Sequence, residues 1–338
     1  MARIREEDYA YATARIRVRE TKLMNRSRLD RLFDMTDPSD AVKLLMESGY
    51  GTDHIDNRKN GAENVETLLS SELKKAYDLL FEILPNPQVV DLFKKSYDYL
   101  NAKLILKAEF LGIDVLKALS LMGTIKPENL LKLITDRKLG DLPELMSKAI
   151  LESSDNFNQT GDPQNIDFIL DKASYENMLE DAKMTEEPFL IELIKKLIDS
   201  ANIRIFIRAK LLLLSKDFII RALVKGGSVT EDVFVELSEK SFEQFFEALN
   251  RTGIAEVSNE LSKAIKHPNG ISEVEKVLDD FITLFLKQSK YVTMGIEPVI
   301  AYLFFKETEI KNARLIITGQ VNKISQETIK ERLRLGYA

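Results

Sequence analysis

At 338 residues the chain is too long for one ordinary domain and long enough for two or three, each able to bury a core. It has no cysteine, which removes disulfides, thiolate nucleophiles, Cys-ligated zinc and iron–sulfur clusters, and only two histidines, His54 and His267. Lys+Arg 48 against Asp+Glu 54 gives a net charge of −6, which is not the footprint of a nucleic-acid binder, and 44% hydrophobic with 30% charged residues reads as an ordinary folded chain.

The first eight residues carry no apolar stretch after their charges, so no signal peptide is expected. Tyr9, Thr13, Ile16 and Leu23 then recur at close to helical spacing, with Glu20 completing the stripe. The same stretch is basic: Arg15, Arg17, Arg19, Lys22, Arg26, Arg28 and Arg31 stand against Glu20 and Asp30. This is either a solvated face or a docking surface for an acidic partner or lipid head groups, with Arg15, Arg17 and Arg19 as candidate contacts. No aromatics interleave with these cations, which argues against single-stranded nucleic acid.

Further helical stripes follow at Leu73, Ala76, Leu79, Leu80 and Ile83, at Phe168, Ile169, Leu170 and Ala173, and at Val274, Val277, Leu278, Phe281, Leu284 and Phe285. Alternating runs bounded by tight-turn dipeptides are nearly absent, so the chain is expected to be all-α. The longest apolar run, residues 298–305, falls well short of the ~20 residues a membrane span needs. A cytosolic setting without a bilayer crossing is expected.

An internal repeat carries the most information. With Pro87, Pro188 and Pro298 in one column, Leu92, Leu193 and Leu303 stand five residues on and Lys95, Lys196 and Lys306 eight on. Asp98, Asp199 and Glu309 follow at eleven, Asn101, Asn202 and Asn312 at fourteen, and Lys103, Arg204 and Arg314 at sixteen. Proline suits the first turn of a helix. The lysine and acid, three apart, are expected to pair on an exposed ridge. Asparagine is a poor mid-helix residue, so a thrice-repeated one is expected to hydrogen-bond a backbone carbonyl in the next helix, with a ligand contact as the lesser alternative.

Downstream turns read Gly123–Glu128, Gly227–Asp232 and Asn322–Glu327, and closing helices carry Leu151-Glu152-Ser153, Leu249-Asn250-Arg251 and Leu45-Met46-Glu47. The repeat is therefore circularly offset. Three quasi-equivalent helical domains are expected, at 50–152, at 153–253, and at 254–338 joined with 1–49, arranged around an axis with both chain ends in one domain. That suits a ring or funnel better than an open solenoid.

The sequence carries no motif of a reactive site. There is no phosphate-binding glycine loop. Gly226-Gly227 reads as a helix stop, and Asp53-His54-Ile55-Asp56 as an exposed loop. Glu186-Glu187 precedes Pro188, where acids favour the helix dipole, and Asp279-Asp280 is a second such pair. No catalytic, cofactor or metal residues and no small-molecule substrate are expected.

The opening Tyr9-Ala10-Tyr11-Ala12-Thr13-Ala14-Arg15-Ile16-Arg17-Val18-Arg19-Glu20, the stretch from Gly295 to Arg314 and Ile329-Lys330-Glu331-Arg332-Leu333-Arg334 resemble the C subunit of the V/A-type ATPases, the counterpart of the eukaryotic d subunit. The resemblance spans effectively the whole chain. It implies a funnel of three similar helical domains around a pseudo-threefold axis with a central cavity. It also implies a non-catalytic rotor part at the cytoplasmic face of the membrane. Such a part receives the central shaft, sits on the membrane proteolipid ring, and couples ATP hydrolysis or synthesis to proton or sodium transport. On that reading the basic helix and the loop Asp53–Arg58 serve an interface. The rival readings are a free-standing helical scaffold for cytosolic proteins and an enzyme with a site at an inter-domain cavity.

Overall fold

The structure, a computed structural model, describes residues 5–35, 38–51 and 61–337. The loop holding Asp53, His54, Asp56 and Arg58 lies outside the described residues. Sixteen α-helices and no strand occur among the described residues: α1 (Ala10–Glu20), α2 (Arg26–Phe33), α3 (Pro38–Glu47), α4 (Gly61–Ile83), α5 (Gln88–Leu111), α6 (Pro127–Thr135), α7 (Glu144–Thr160), α8 (Gln164–Met184), α9 (Pro188–Leu211), α10 (Lys216–Ala222), α11 (Glu231–Glu236), α12 (Phe242–Leu249), α13 (Ala255–Ala264), α14 (Gly270–Lys287), α15 (Glu297–Val321) and α16 (Gln326–Arg332). The all-α expectation is met.

The chain divides into two compact units, Met1–Pro87 with Ala264–Ala338, and Gln88–Lys263. In the first, α2, α3, α4 and α15 bury Leu32, Leu44, Leu45, Leu68, Leu69 and Ile316 against one another. The second holds an apolar cluster and an aromatic one. Tyr99, Ile105, Leu130, Ile134, Ile150 and Leu170 of α5 to α8 form the apolar cluster. In the aromatic one, Phe206 of α9, Phe234 of α11 and Phe245 of α12 pack with ring centroids 4.2 to 5.8 Å apart. Each such side chain stabilises the fold by about 1.5–3 kcal/mol on full burial, and paired rings add to that.

The repeat falls on the three long helices α5, α9 and α15. Pro188 opens α9, Pro298 is the second residue of α15, and Pro87 stands immediately before α5. All three positions tolerate a missing backbone donor. The lysine–acid ridge is not exposed. Asp98 and Asp199 are fully buried, and Glu309, Lys196 and Lys306 are nearly so. Lys306 pairs with the acid three residues on, at 2.8 Å from Glu309. Lys95 turns instead to Asp181 of α8 at 2.6 Å, and Lys196 to Glu192 and Glu256. The reason is that Asp98 and Asp199 are claimed by backbone N–H groups farther along the chain. Leu284, placed in an apolar stripe by its spacing, faces solvent.

Candidate functional site

The three asparagines make one arrangement three times. Asn101 donates to the carbonyl of Ser120 at 2.8 Å and accepts from its N–H at 2.7 Å. Asn202 does the same to Val224, at 2.8 Å each way, and Asn312 to Arg334, at 3.0 and 2.9 Å. The clasped residue stands two past the end of a short helix in each case: the 3₁₀ turn Leu116–Ala118, then α10, then α16. A carboxamide is the side chain that can donate and accept along one edge, so it satisfies both groups of a single residue where helix geometry offers no partner. This accounts for a poor helix former in mid-helix.

The acid three residues earlier makes a second clasp. Asp98 accepts from the N–H groups of Thr124 and Ile125 at 2.9 and 3.1 Å, and from the Thr124 hydroxyl. Asp199 accepts from Ser228 and Val229 at 3.0 Å each. Burial pushes both carboxyls above the ordinary range, while these hydrogen bonds pull the other way. The preceding residues are Gly123 and Gly227, and a Cβ at either would overlap the clasping carboxylate. Gly227 therefore serves this approach; α10 stops earlier, at Ala222.

The third copy closes differently. Glu309 accepts from the N–H of Met24, two residues before α2, as Ile125 and Val229 stand two before α6 and α11. The turn equivalent to Ile125–Pro127 is thus Met24–Arg26 at the other end of the chain, whereas the spacing points to Asn322–Glu327. That segment matches Leu212–Asp217 instead: Lys323 and Leu213 share a positive φ, and Ser325 and Ser215 both cap the next short helix, α16 and α10. Two successive turns each carry a capping residue and an acid, so spacing alone does not tell them apart.

Glu309 also centres a buried polar group. It accepts from the Tyr50 hydroxyl at 2.6 Å and from the Lys306 ammonium, which lies 3.2 Å from Glu72. Burial lowers the Lys306 pKa, but Glu309, Glu72 and Tyr302 more than offset it, and the value ends above that of an ordinary lysine. Burial first, then the charge and hydrogen bond of Glu309, holds Tyr50 well above the usual phenol. A buried group partnered in this way fixes geometry.

At position sixteen of the repeat, Lys103 pairs with Asp171 at 2.6 Å and Arg314 makes a two-pronged contact with Glu66 at 2.9 and 2.8 Å. Arg204 lies along a groove beside α8.

The basic face of α1 splits three ways. Arg17 is an internal clamp: it pairs with buried Glu20 at 2.9 Å and donates to the carbonyls of Ser289, Lys290 and Val292. Arg15 lies 3.2 Å from Glu82 and donates to the Tyr11 hydroxyl. Arg19 is exposed. Tyr11 and Val18, four residues before and three after Arg15 on the same stripe, are each 62% exposed, and Tyr291, presented by the turn that Arg17 grips, is 90% exposed. Spacing alone does not mark Tyr11, Val18 and Tyr291 as surface. For Tyr11 and Val18 the available signal is their place beside cations on the outward stripe of α1.

The remaining acid pairs have structural settings. Asp279 meets Arg334 at 2.7 Å, Asp280 accepts from the N–H of Leu335, and Glu187 is the N-cap residue of α9. Among the described residues no cluster of acids and histidines could hold a metal ion, and no helix is long and apolar enough to cross a membrane.

Residues 12–332 match the model of the ATP synthase (C/AC39) subunit family. The chain is 28% identical to the C subunit of the A-type ATP synthase of Methanocaldococcus jannaschii, over 96% of this chain and 86% of that one. It is 28% identical to the C subunit of the V-type sodium ATPase of Enterococcus hirae, over 95% and 97% of the two chains. To the C subunit of the A-type ATP synthase of Pyrococcus furiosus it is 25% identical, over 96% and 89%.

Proposed function

The chain belongs to the ATP synthase (C/AC39) subunit family, a non-catalytic part of the ATPase complex, and we propose that it is the rotor piece linking the central shaft of the soluble head to the membrane proteolipid ring. In this role it sits peripherally at the cytoplasmic face of the membrane. It passes rotation between ATP chemistry in the head and proton or sodium movement in the ring. The observation that carries the reading is the match over residues 12–332, which takes in all three Pro–Asn registers.

A torque coupler needs stiffness and interfaces but no reactive group. The clasps of Asn101, Asn202 and Asn312, repeated in kind, support three quasi-equivalent helical domains at 50–152, 153–253 and 254–338 with 1–49. Closure of the third acid clasp by Met24 supports the circular offset.

The shaft-facing surface is assigned to the outward side of α1 and its neighbour: Tyr11, Arg15, Val18, Arg19 and Tyr291. Tyrosine and arginine are the residues that dominate protein–protein hot spots. Arg17 is excluded because its guanidinium is spent on carbonyls. The test is co-purification with shaft and ring subunits of a Val18→Ser, Arg19→Glu variant whose melting temperature is unchanged. Loss of the shaft supports the assignment; full assembly overturns it.

A further inference from the structure

The three long helices end in the same turn but not in the same residues. The N–H of Ile113 bonds the carbonyl of Ala108 at 3.1 Å, Leu214 that of Ala209 at 2.9 Å, and Ile324 that of Gly319 at 2.9 Å. This is the closing bond of a turn that needs one left-handed residue, ordinarily glycine. After α5 that residue is Gly112, and after α15 it is Lys323. After α9 it is Leu213, with φ of 54°.

Leu213 is also 91% exposed, and Leu212 is 68% exposed. Backbone preference disfavours a leucine there, and burial gives it nothing. The four leucines Leu211 to Leu214 form an apolar tip in solvent that folding does not account for.

The surroundings state what the tip fits. Between residues 205 and 222 stand Arg208, Lys210, Lys216 and Arg221 against the single acid Asp217, on a chain whose net charge is −6. The Lys210 ammonium is turned back to the carbonyls of Ser238 and Lys240. Lys216 and Arg221 are exposed. Leu212 and Leu214 also line a groove of about 520 Å³ with Lys172, Arg204 and Arg208.

Exposed leucines ringed by lysine and arginine are the pattern of an interfacial membrane contact, in which side chains enter the acyl boundary and cations meet anionic head groups. Protein–protein hot spots are poor in leucine and rich in tyrosine, as on the face of α1. The geometry points to the Leu211–Leu214 tip of α9 as a site that dips into the surface of a bilayer containing anionic phospholipid, with exposed Lys216 and Arg221 on its head groups. The inference rests on the peripheral membrane location proposed above and adds direct lipid contact by this chain.

The test is flotation of the purified full-length chain with vesicles of phosphatidylcholine alone and of phosphatidylcholine mixed with phosphatidylglycerol. The chain is expected to float with the mixed vesicles, less so as salt is raised, and not with phosphatidylcholine alone. Leu213→Asn keeps a residue that accepts the left-handed turn while removing the apolar tip. It should lower partitioning about tenfold, from the loss of one buried leucine, with a melting temperature equal to or above that of the parent. Lys216→Glu with Arg221→Glu should abolish flotation on the mixed vesicles. Parent protein that stays unbound, or a Leu213→Asn variant that floats equally well, overturns the proposal. So does a variant that floats normally but loses the proteolipid ring in lipid-free detergent, which makes the tip a protein contact. Shaft co-purification by Leu213→Asn stays intact if only the lipid contact is lost, and so separates this site from the rotor reading.

Discussion

The side chain of Asn202 grips Val224 by both of its backbone polar groups, donating to its carbonyl and accepting from its N–H, each at 2.8 Å. Both residues are fully buried. The grip therefore joins the middle of α9 to the chain beyond α10 in a place where water cannot substitute.

Asn202→Ala leaves a buried N–H and a buried carbonyl without partners. It is expected to cost about 2–4 kcal/mol, from roughly 1–3 kcal/mol per orphaned group with some relaxation. Asn312→Ala should cost less, because Arg334 is only partly buried and water can reach the freed groups. Urea unfolding of the two variants checks the order; equal losses contradict the burial argument.

Gly123 and Gly227 make room for the carboxylates of Asp98 and Asp199. Alanine at either position must displace an acid held by two backbone N–H groups, at an expected cost of about 1–3 kcal/mol for overpacking. Gly140 is the control, since nothing lies within 4 Å of its added Cβ, and Gly140→Ala should stay within about 0.5 kcal/mol of the parent. Thermal melts of the three variants decide it.

Glu309 ties α15 to the N-terminal segment through Met24 and shares Lys306 with Glu72. Glu309→Leu removes one of the two carboxylates at buried Lys306 together with the acceptor of the Met24 N–H, and is expected to cost about 3 kcal/mol. Because the lost bond is local, amide exchange should quicken at Met24 and the start of α2 more than at α6 or α11. Uniform quickening throughout the chain would contradict a role in closing the third copy.

How far the sequence reaches depends on where each partner lies. The asparagine column is legible because a poor helix former repeated in register implies a hydrogen bond, and its partners lie only 19 to 22 residues on. The acid column is not, because spacing of three suggests a surface pair, while the N–H groups that bury Asp98 and Asp199 belong to turns 26 to 30 residues away. Arg17 looks like one cation among seven; the carbonyls that occupy it are 272 to 275 residues distant. The tip of α9 passes for the aliphatic end of a core helix. Four leucines in succession cannot all share one helix face, and that is the signal the sequence holds.

The buried phenols and Lys306 give the fold an alkaline limit. Burial raises Tyr50 and Tyr99 above the ordinary phenol, and the carboxylates around Lys306 raise it despite burial. In each case the folded chain keeps a proton that the unfolded chain gives up near pH 10. The stability they contribute is complete below about pH 10 and is lost as pH rises through the folded values, at roughly 1.4 kcal/mol per pH unit for each group. Tyr50→Phe removes one such proton. It also loses the hydrogen bond to Glu309, which lowers stability wherever the phenol keeps its proton. Urea midpoints measured from about pH 8 to pH 11 should therefore show a variant that begins less stable and falls less steeply above pH 10. Parallel alkaline limbs would mean that Tyr50 ionises as freely in the folded chain as in the unfolded one, against its burial beside Glu309.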